Sequence, residues 1–111
     1  VHGQDDGAAI MGLGHSLMEG LILDEEGRTR NLGAIDYRIP TSKDLPTELI
    51  SASIENHDGP GPYGVKGVSE GSLLCTAPAV GAAVRDATGL VIRDLPLTPQ
   101  RVWEAMREQE S

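Results

Sequence analysis

The placement of glycine constrains this chain more than any other feature. Ten of its fourteen glycines fall in two stretches, residues 3–20 and 59–71. Between Asp6 and Leu23 the apolar residues Ile10, Leu13, Leu17, Met18 and Leu21 recur at i, i+3, i+7, i+8 and i+11, one face of a helix. Yet Gly7, Gly12, Gly14 and Gly20 lie in the same window, each costing about 1 kcal/mol against Ala in a helix interior. Four such residues point to close approach of this helix to another backbone or to a ligand. The second stretch reads GPGPYGVKGVSEG and can only be a shaped loop.

The rest of the chain supplies little bulk. Phe is absent, and the aromatics are Tyr37, Tyr63 and Trp103, so a core must be aliphatic. Gly and Pro together make 21 of 111 residues, against an average of about 12%. One domain is the upper bound for this length.

Charge and cysteine usage exclude several classes. Seventeen acids against nine bases give a net charge of −8. That argues against a nucleic-acid partner, which needs a basic face to displace counterions, and against an anionic membrane surface. Cys75, the single cysteine, forms no internal disulfide and cannot by itself hold zinc or an iron–sulfur cluster. There is no long apolar run, no leader pattern and no initiating Met. The chain opens at Val1 as if within a motif, so a truncated or processed product is expected.

The remaining elements follow from local signals. Asp5 or Asp6 suits the first helix as a cap, and Asp24-Glu25-Glu26-Gly27 reads as a solvated turn. Short extended pieces are expected at residues 28–31 and 37–39. Ile50, Ala52 and Ile54 alternate with Ser51, Ser53 and Glu55, the period of a strand with one buried face. A second helix is expected over residues 77–88, with Thr76 as N-cap, Pro78 in the first turn and Gly89 as the stop; Ala77, Val80, Val84 and Ala87 form its buried stripe. Residues 90–92 suit a short strand. Thr98-Pro99 opens a third helix whose apolar face carries Val102, Trp103 and Met106. The order predicts an α+β fold: a small antiparallel or mixed sheet with about three helices, in one domain over residues 1–111.

The candidate chemistry sits near the glycines. Glu70, late in the second loop and just before a helix, can act as a general base if its pocket is tight and partly dry. By spacing alone a solvated surface Glu is the commoner outcome. Gly3-Gln4 precedes the first helix, and the Gln amide both donates and accepts hydrogen bonds. Lys66, four residues before Glu70, either steadies that carboxylate or is simply exposed. His2, His15 and His57 have no metal-ligand spacing, and no metal site is expected from this chain. Cys75 reads as a small buried hydrophobe. The Gly-Leu-Gly at 12–14 lies in a helical pattern and lacks the preceding strand of a dinucleotide fingerprint.

An ordered set of short motifs then resembles a known family. Gly3-Gln4, Gly7-Ala8, Met11-Gly12-Leu13-Gly14 and Glu19-Gly20-Leu21 are followed by Asn31, Asp36-Tyr37-Arg38-Ile39-Pro40 and Asp44-Leu45-Pro46. Lys66-Gly67-Val68-Ser69-Glu70, Ala77-Pro78-Ala79, Asp86-Ala87-Thr88-Gly89 and Leu95-Pro96-Leu97-Thr98 continue it along nearly the whole chain. Together they resemble the C-terminal part of the large, molybdopterin-binding subunit of the xanthine dehydrogenase and aldehyde oxidase family, the molybdenum hydroxylases. The resemblance implies oxidation of an aldehyde or N-heterocycle with water-derived oxygen on a molybdopterin cofactor. Iron–sulfur clusters and FAD would sit on other domains or subunits, which with the remainder of the large subunit are the implied partners.

By the same resemblance Glu70 matches the family's general base. Gln4, with Gly3 before it, matches the glutamine beside the metal's oxo group, and Val68 and Ser69 match the backbone near the cofactor. Two positions depart: Ser69 stands where the family usually has Gly, and Gly71 where it often has Pro. A Cβ at residue 69 makes positive φ uncomfortable, so the loop is expected to take a slightly different path. Being far shorter than such subunits, the chain is expected to bind no cofactor and turn nothing over alone, and to expose apolar surface. A cytoplasmic location is expected, with a periplasmic one left open. The rival reading is a stand-alone, non-catalytic domain of the same fold that serves in assembly or partner binding, and Ser69 is the residue that most favours it.

Overall fold

Two helices lying side by side organise the chain. A computed structural model describes residues 1–110 and contains three α-helices: α1 (His2–Leu17), α2 (Gly71–Thr88) and α3 (Pro99–Glu110). A single 3₁₀ turn, Pro62–Gly64, interrupts the long connection between α1 and α2. Helices α1 and α2 pack together and run in the same direction. Asp5 meets Ser72 near their starts, and Gly12 meets Thr76 further along.

Glycine makes this packing possible. A Cβ built on Gly12 would lie 2.5 Å from Cβ and 2.6 Å from Oγ1 of Thr76, far inside van der Waals contact. A Cβ on Gly14 would meet Pro40 Cδ at 2.7 Å, so the second glycine admits the connecting segment. Gly3 and Gly7 face open space. The close approach expected from the glycine pattern is therefore made at Gly12 and Gly14.

Tertiary contacts move the helix ends away from their expected places. Helix α1 begins at His2 and stops at Leu17, short of Leu23. The carbonyl of Gly14 accepts from both Met18 N–H (2.9 Å) and Glu19 N–H (2.8 Å), and the chain then turns away. Leu97 N–H closes the end by donating to the Ser16 carbonyl at 2.6 Å. Helix α2 begins six residues before Ala77, at Gly71. Thr76 is thus interior, its hydroxyl donating back to the Ser72 carbonyl at 2.8 Å, and it caps nothing. Pro78 lies inside the helix, where it can give no N–H to the carbonyl one turn back. Gly89 ends α2 as expected, at φ +76 with its N–H on the Arg85 carbonyl at 2.7 Å. Thr98 caps α3 by accepting from Arg101 N–H at 3.3 Å, and Pro99 takes the first position.

The expected sheet is absent, and the α+β assignment is corrected: among the described residues there are three helices and no strand. Strand-like pairing amounts to one bridge between Leu23 and Thr29, which spans the Asp24–Gly27 turn. Residues 50–54 and 90–92 carry strand-like composition but have no neighbouring strand among the described residues, so no ladder forms there. Tyr37 closes a turn through its N–H on the Gly33 carbonyl at 2.8 Å, where extended chain was expected.

Very little is buried. Ala8 (0% exposed) and Leu97 (3%) are the buried apolar side chains among the described residues. Helix α2 has no buried residue; of its expected stripe Ala77, Val80 and Val84 are half-buried and Ala87 is exposed. The radius of gyration is 17.7 Å, where about 13 Å is usual for a compact domain of this length. The accessible surface is 8807 Å², against about 5,900 Å² for a compact monomer of this mass. The expected apolar exposure is present: Leu74, next to the start of α2, is among the large aliphatics facing solvent.

Candidate functional site

The first turns of α1 and α2 come together at one end of the helix pair. Ser72 Oγ donates to Asp5 Oδ1 at 3.2 Å, joining residues 67 positions apart in the chain. Because the helices are parallel, both positive dipole ends lie at this end. Asp5 sits in the first turn of α1 and caps nothing through its side chain, its carboxylate being taken by Ser72.

The residues singled out from the sequence cluster around this join. Gly3 and Gln4 form the first turn of α1 and are exposed, with Gln4 N–H on the Val1 carbonyl at 2.9 Å. Glu70 is the residue that opens α2, at φ −94 and ψ 34, with an exposed side chain that makes no capping bond. Val68 and Ser69 lead into it and are also exposed. Ser69 is not at positive φ; Tyr63 is the only non-glycine residue there among those described. Serine at this position therefore carries no backbone strain.

This end of the molecule is open to a ligand. The backbone N–H groups of residues 66–72 donate no hydrogen bond to any described residue. A Cβ on Gly3, Gly67 or Gly71 would meet nothing within 4 Å. Free N–H groups on glycine-rich backbone at a helix start suit anionic oxygens. The polar groups are thus amide N–H donors, one carboxamide that can donate or accept, and one carboxylate that accepts. They fit a polar, anionic cofactor held by hydrogen bonds, not a metal bound directly by protein side chains. The described residues contain no group of three or more His, Cys, Asp or Glu arranged to hold a metal.

Three neighbouring side chains clarify the loop. Lys66 pairs with Asp58, Nζ to Oδ1 at 2.6 Å, and also donates to Asn56 Oδ1, so its ammonium is engaged at the far side of the glycine loop. Cys75 is exposed, which corrects the buried reading; it lies one turn into α2 beside a groove of about 590 Å³ that Asp5, Asp6 and Ser72 also line. His2 Nδ1 lies 3.0 Å from Ser51 Oγ, so the connecting segment is tied to the start of α1. Sequence reasoning missed the Asp5–Ser72 and His2–Ser51 pairs. Both join distant positions, and the one local trace is an acid in the first turn of α1.

The loop itself is held in shape by its own backbone. Gly59 N–H donates to the Gly64 carbonyl (3.1 Å), Gly61 N–H to Val65 (3.1 Å) and Gly64 N–H to Gly61 (3.0 Å). Gly64 sits at φ +74, where a Cβ would run into the His57 carbonyl group.

Comparison with known proteins places these residues in context. A family model described as a molybdopterin cofactor-binding domain matches residues 1–46. The xanthine dehydrogenase molybdenum-binding subunit of Escherichia coli O157:H7 is 42% identical over 92% of this chain and 14% of its own length. The nicotine 6-hydroxylase large subunit of Paenarthrobacter nicotinovorans is 34% identical over 96% of this chain and 13% of its own. In three dimensions the chain resembles quinoline 2-oxidoreductase from Pseudomonas putida 86, with a TM-score of 0.82 and 31% identity over 96% of this chain and 14% of that one. The chain therefore spans about one seventh of the length of the relatives it matches. No helix among the described residues is long and apolar enough to cross a membrane.

Proposed function

Because the chain belongs to the molybdenum hydroxylase family, matching part of its large, molybdopterin-binding subunit, we propose that it supplies one wall of such a subunit's active site, with Glu70 as the general base. The observation that carries this reading is the meeting of the first turns of α1 and α2, which puts Gln4 and Glu70 at the same end of one packed helix pair. The substrate class is an aldehyde or an electron-poor N-heterocycle. Relatives named for xanthine, nicotine and quinoline support the heterocycle.

When bound, the molybdenum cofactor supplies the two-electron acceptor and the water-derived oxygen for hydroxylating the substrate carbon. The chain's own groups do the rest. The Glu70 carboxylate takes the proton from the water-derived oxygen as it attacks. The Gln4 side-chain amide would donate a hydrogen bond to an oxygen of the bound centre, and Gly3 would let the backbone approach it. The N–H groups of Val68 and Ser69, which donate to no described residue, would be available to the cofactor's anionic oxygens. The proposed partners are other domains or subunits, whose iron–sulfur clusters and FAD would take up the electrons. The isolated chain holds too little of the cofactor's surroundings to bind it or to turn over substrate.

Glu70→Gln in the intact subunit tests the assignment. Removing a positioned base is expected to cost about 10²–10⁴-fold in turnover, with molybdenum content unchanged. Near-normal turnover would remove Glu70 from the role. The stand-alone, non-catalytic reading loses its main support, since Ser69 is accommodated without strain.

A further inference from the structure

Residues 45–58 stand apart from the rest of the molecule in one respect: none of their backbone N–H or C=O groups forms a hydrogen bond with any described residue. The segment is exposed, so water serves these groups, and a run this long leaves its main-chain donors and acceptors available to a partner. The same segment carries the period-two pattern, Ile50, Ala52 and Ile54 alternating with Ser51, Ser53 and Glu55. Ser51 is the residue tied inward, half-buried with its hydroxyl at His2. Ile50 and Ile54 are 80% and 93% exposed. The one residue of this stretch tied inward is thus polar, while Ile50, which with Ala52 borders the groove beside α1 and α2, and Ile54 stay largely in solvent, unlike the aliphatics of a strand that covers its own domain.

We infer that residues 48–56 are a docking segment for an extended strand from another part of the same large subunit. The recognition is main-chain pairing along residues 48–56, with Ile50, Ala52 and Ile54 entering an apolar layer beyond the chain. The occupant follows from four observations together. The free backbone groups suit pairing with another extended backbone, and the exposed aliphatics suit an apolar layer. The accessible surface, 8807 Å² where about 5,900 Å² is usual, requires extensive cover, and the chain spans only one seventh of its relatives. The correction to the fold stands, since the described residues build no sheet among themselves. The inference rests on the reading of the chain as part of a large subunit.

Amide hydrogen exchange tests it, run on the isolated chain and on the intact subunit, with molybdenum content measured alongside. In the isolated chain Ser51–Glu55 are expected to exchange at near-unprotected rates. In the intact subunit they are expected to be slowed about a thousandfold or more, the range of cooperative structure. Ser53→Pro, which deletes one donor, is expected to lower that protection at neighbouring amides, and Ser53→Ala to preserve it. Fast exchange in an intact subunit that carries molybdenum would overturn the pairing and leave the function standing. A subunit without molybdenum would count against the function, with the pairing still decided by exchange. Protection in the isolated chain that rises with its concentration would make the occupant a second copy and overturn the inference. So would equal protection in the proline and alanine variants.

Discussion

The paired helices and the long connection between them are built from similar amounts of apolar residue, yet they behave differently. In α1 and α2, glycine lets two backbones approach until Gly12 lies directly under Thr76, and half-buried aliphatics fill the seam. Residues 18–70 hold Leu21, Ile22, Leu32, Ile35, Ile50 and Ile54, all exposed. What order they have is local and polar. Asn31 clips one turn by accepting from Ile22 N–H (2.9 Å) and donating to the Gly20 carbonyl (2.6 Å). Asp24 Oδ1 gathers the N–H groups of Glu26 and Arg28. The helix pair is thus held by a close mutual seam, while the connection is shaped by local polar bonds and leaves its aliphatics exposed. The candidate site lies at the end of that seam.

This contrast can be broken at either region. The largest expected effect is at the seam. Gly12→Ala gains helix propensity, but its methyl group collides with Thr76. A net loss of about 1–3 kcal/mol is expected in thermal or urea unfolding, as for other overpacked interiors. Gly12→Ala with Thr76→Gly should recover most of it. Unchanged stability in the single variant would show that the helices are not in close contact. Next comes the Asn31 clip. Asn31→Ala leaves one part-buried N–H and one carbonyl without partners, about 1–3 kcal/mol. The loss should appear as faster exchange at Ile22 with little change in α2. If α2 loosened equally, the two regions would not be separable.

Smaller effects sharpen the same distinction. Gly27 sits at φ +77 in the Asp24 turn, so Gly27→Ala should cost about 1 kcal/mol of local order, seen in nearby amide shifts. The smallest effect is a pH response. Tyr37 OH donates to Glu19 Oε2 at 2.8 Å, and this bond, with a small contribution from burial and the Glu19 charge, raises the phenol's pKa. A raised phenol stabilises the fold fully below its ordinary value near 10. That stabilisation is lost as pH climbs through the folded value. Tyr37→Phe should abolish this alkaline loss, read as the change in melting temperature between about pH 9 and 11. Asp44 behaves oppositely. Thr41 N–H (2.8 Å) and then Thr41 Oγ1 (2.7 Å) hold its carboxyl low, so its turn should open only as pH falls below the usual carboxylate range.

How much of this was legible in the sequence depended on whether the deciding contact was local. The Thr98-Pro99 start of α3 and the Gly89 stop of α2 could be read because capping groups lie within a turn of the ends they serve. The end of α1 could not, since Leu97 closes it from eighty residues downstream. Thr76 looked like a cap because its hydroxyl can serve equally well inside a helix. The alternation over residues 50–54 is real, but alternation states that a strand would have one apolar face and not that a partner strand is at hand. At the site, the glycines and the motif resemblance drew attention to Gln4 and Glu70, whereas the Asp5–Ser72 bond beside them required the two helices to be packed.

The most direct test of the central claim, that the two helix ends form one site, is a double-mutant cycle on turnover per bound molybdenum in the intact subunit. Gln4→Ala, Glu70→Gln and the double variant would be compared at equal cofactor content. The account predicts a loss of about a hundredfold or more for Glu70→Gln and a double variant little worse than that single one, because residues acting as a unit are strongly non-additive. Losses that simply multiply, or no loss at either residue, would contradict it.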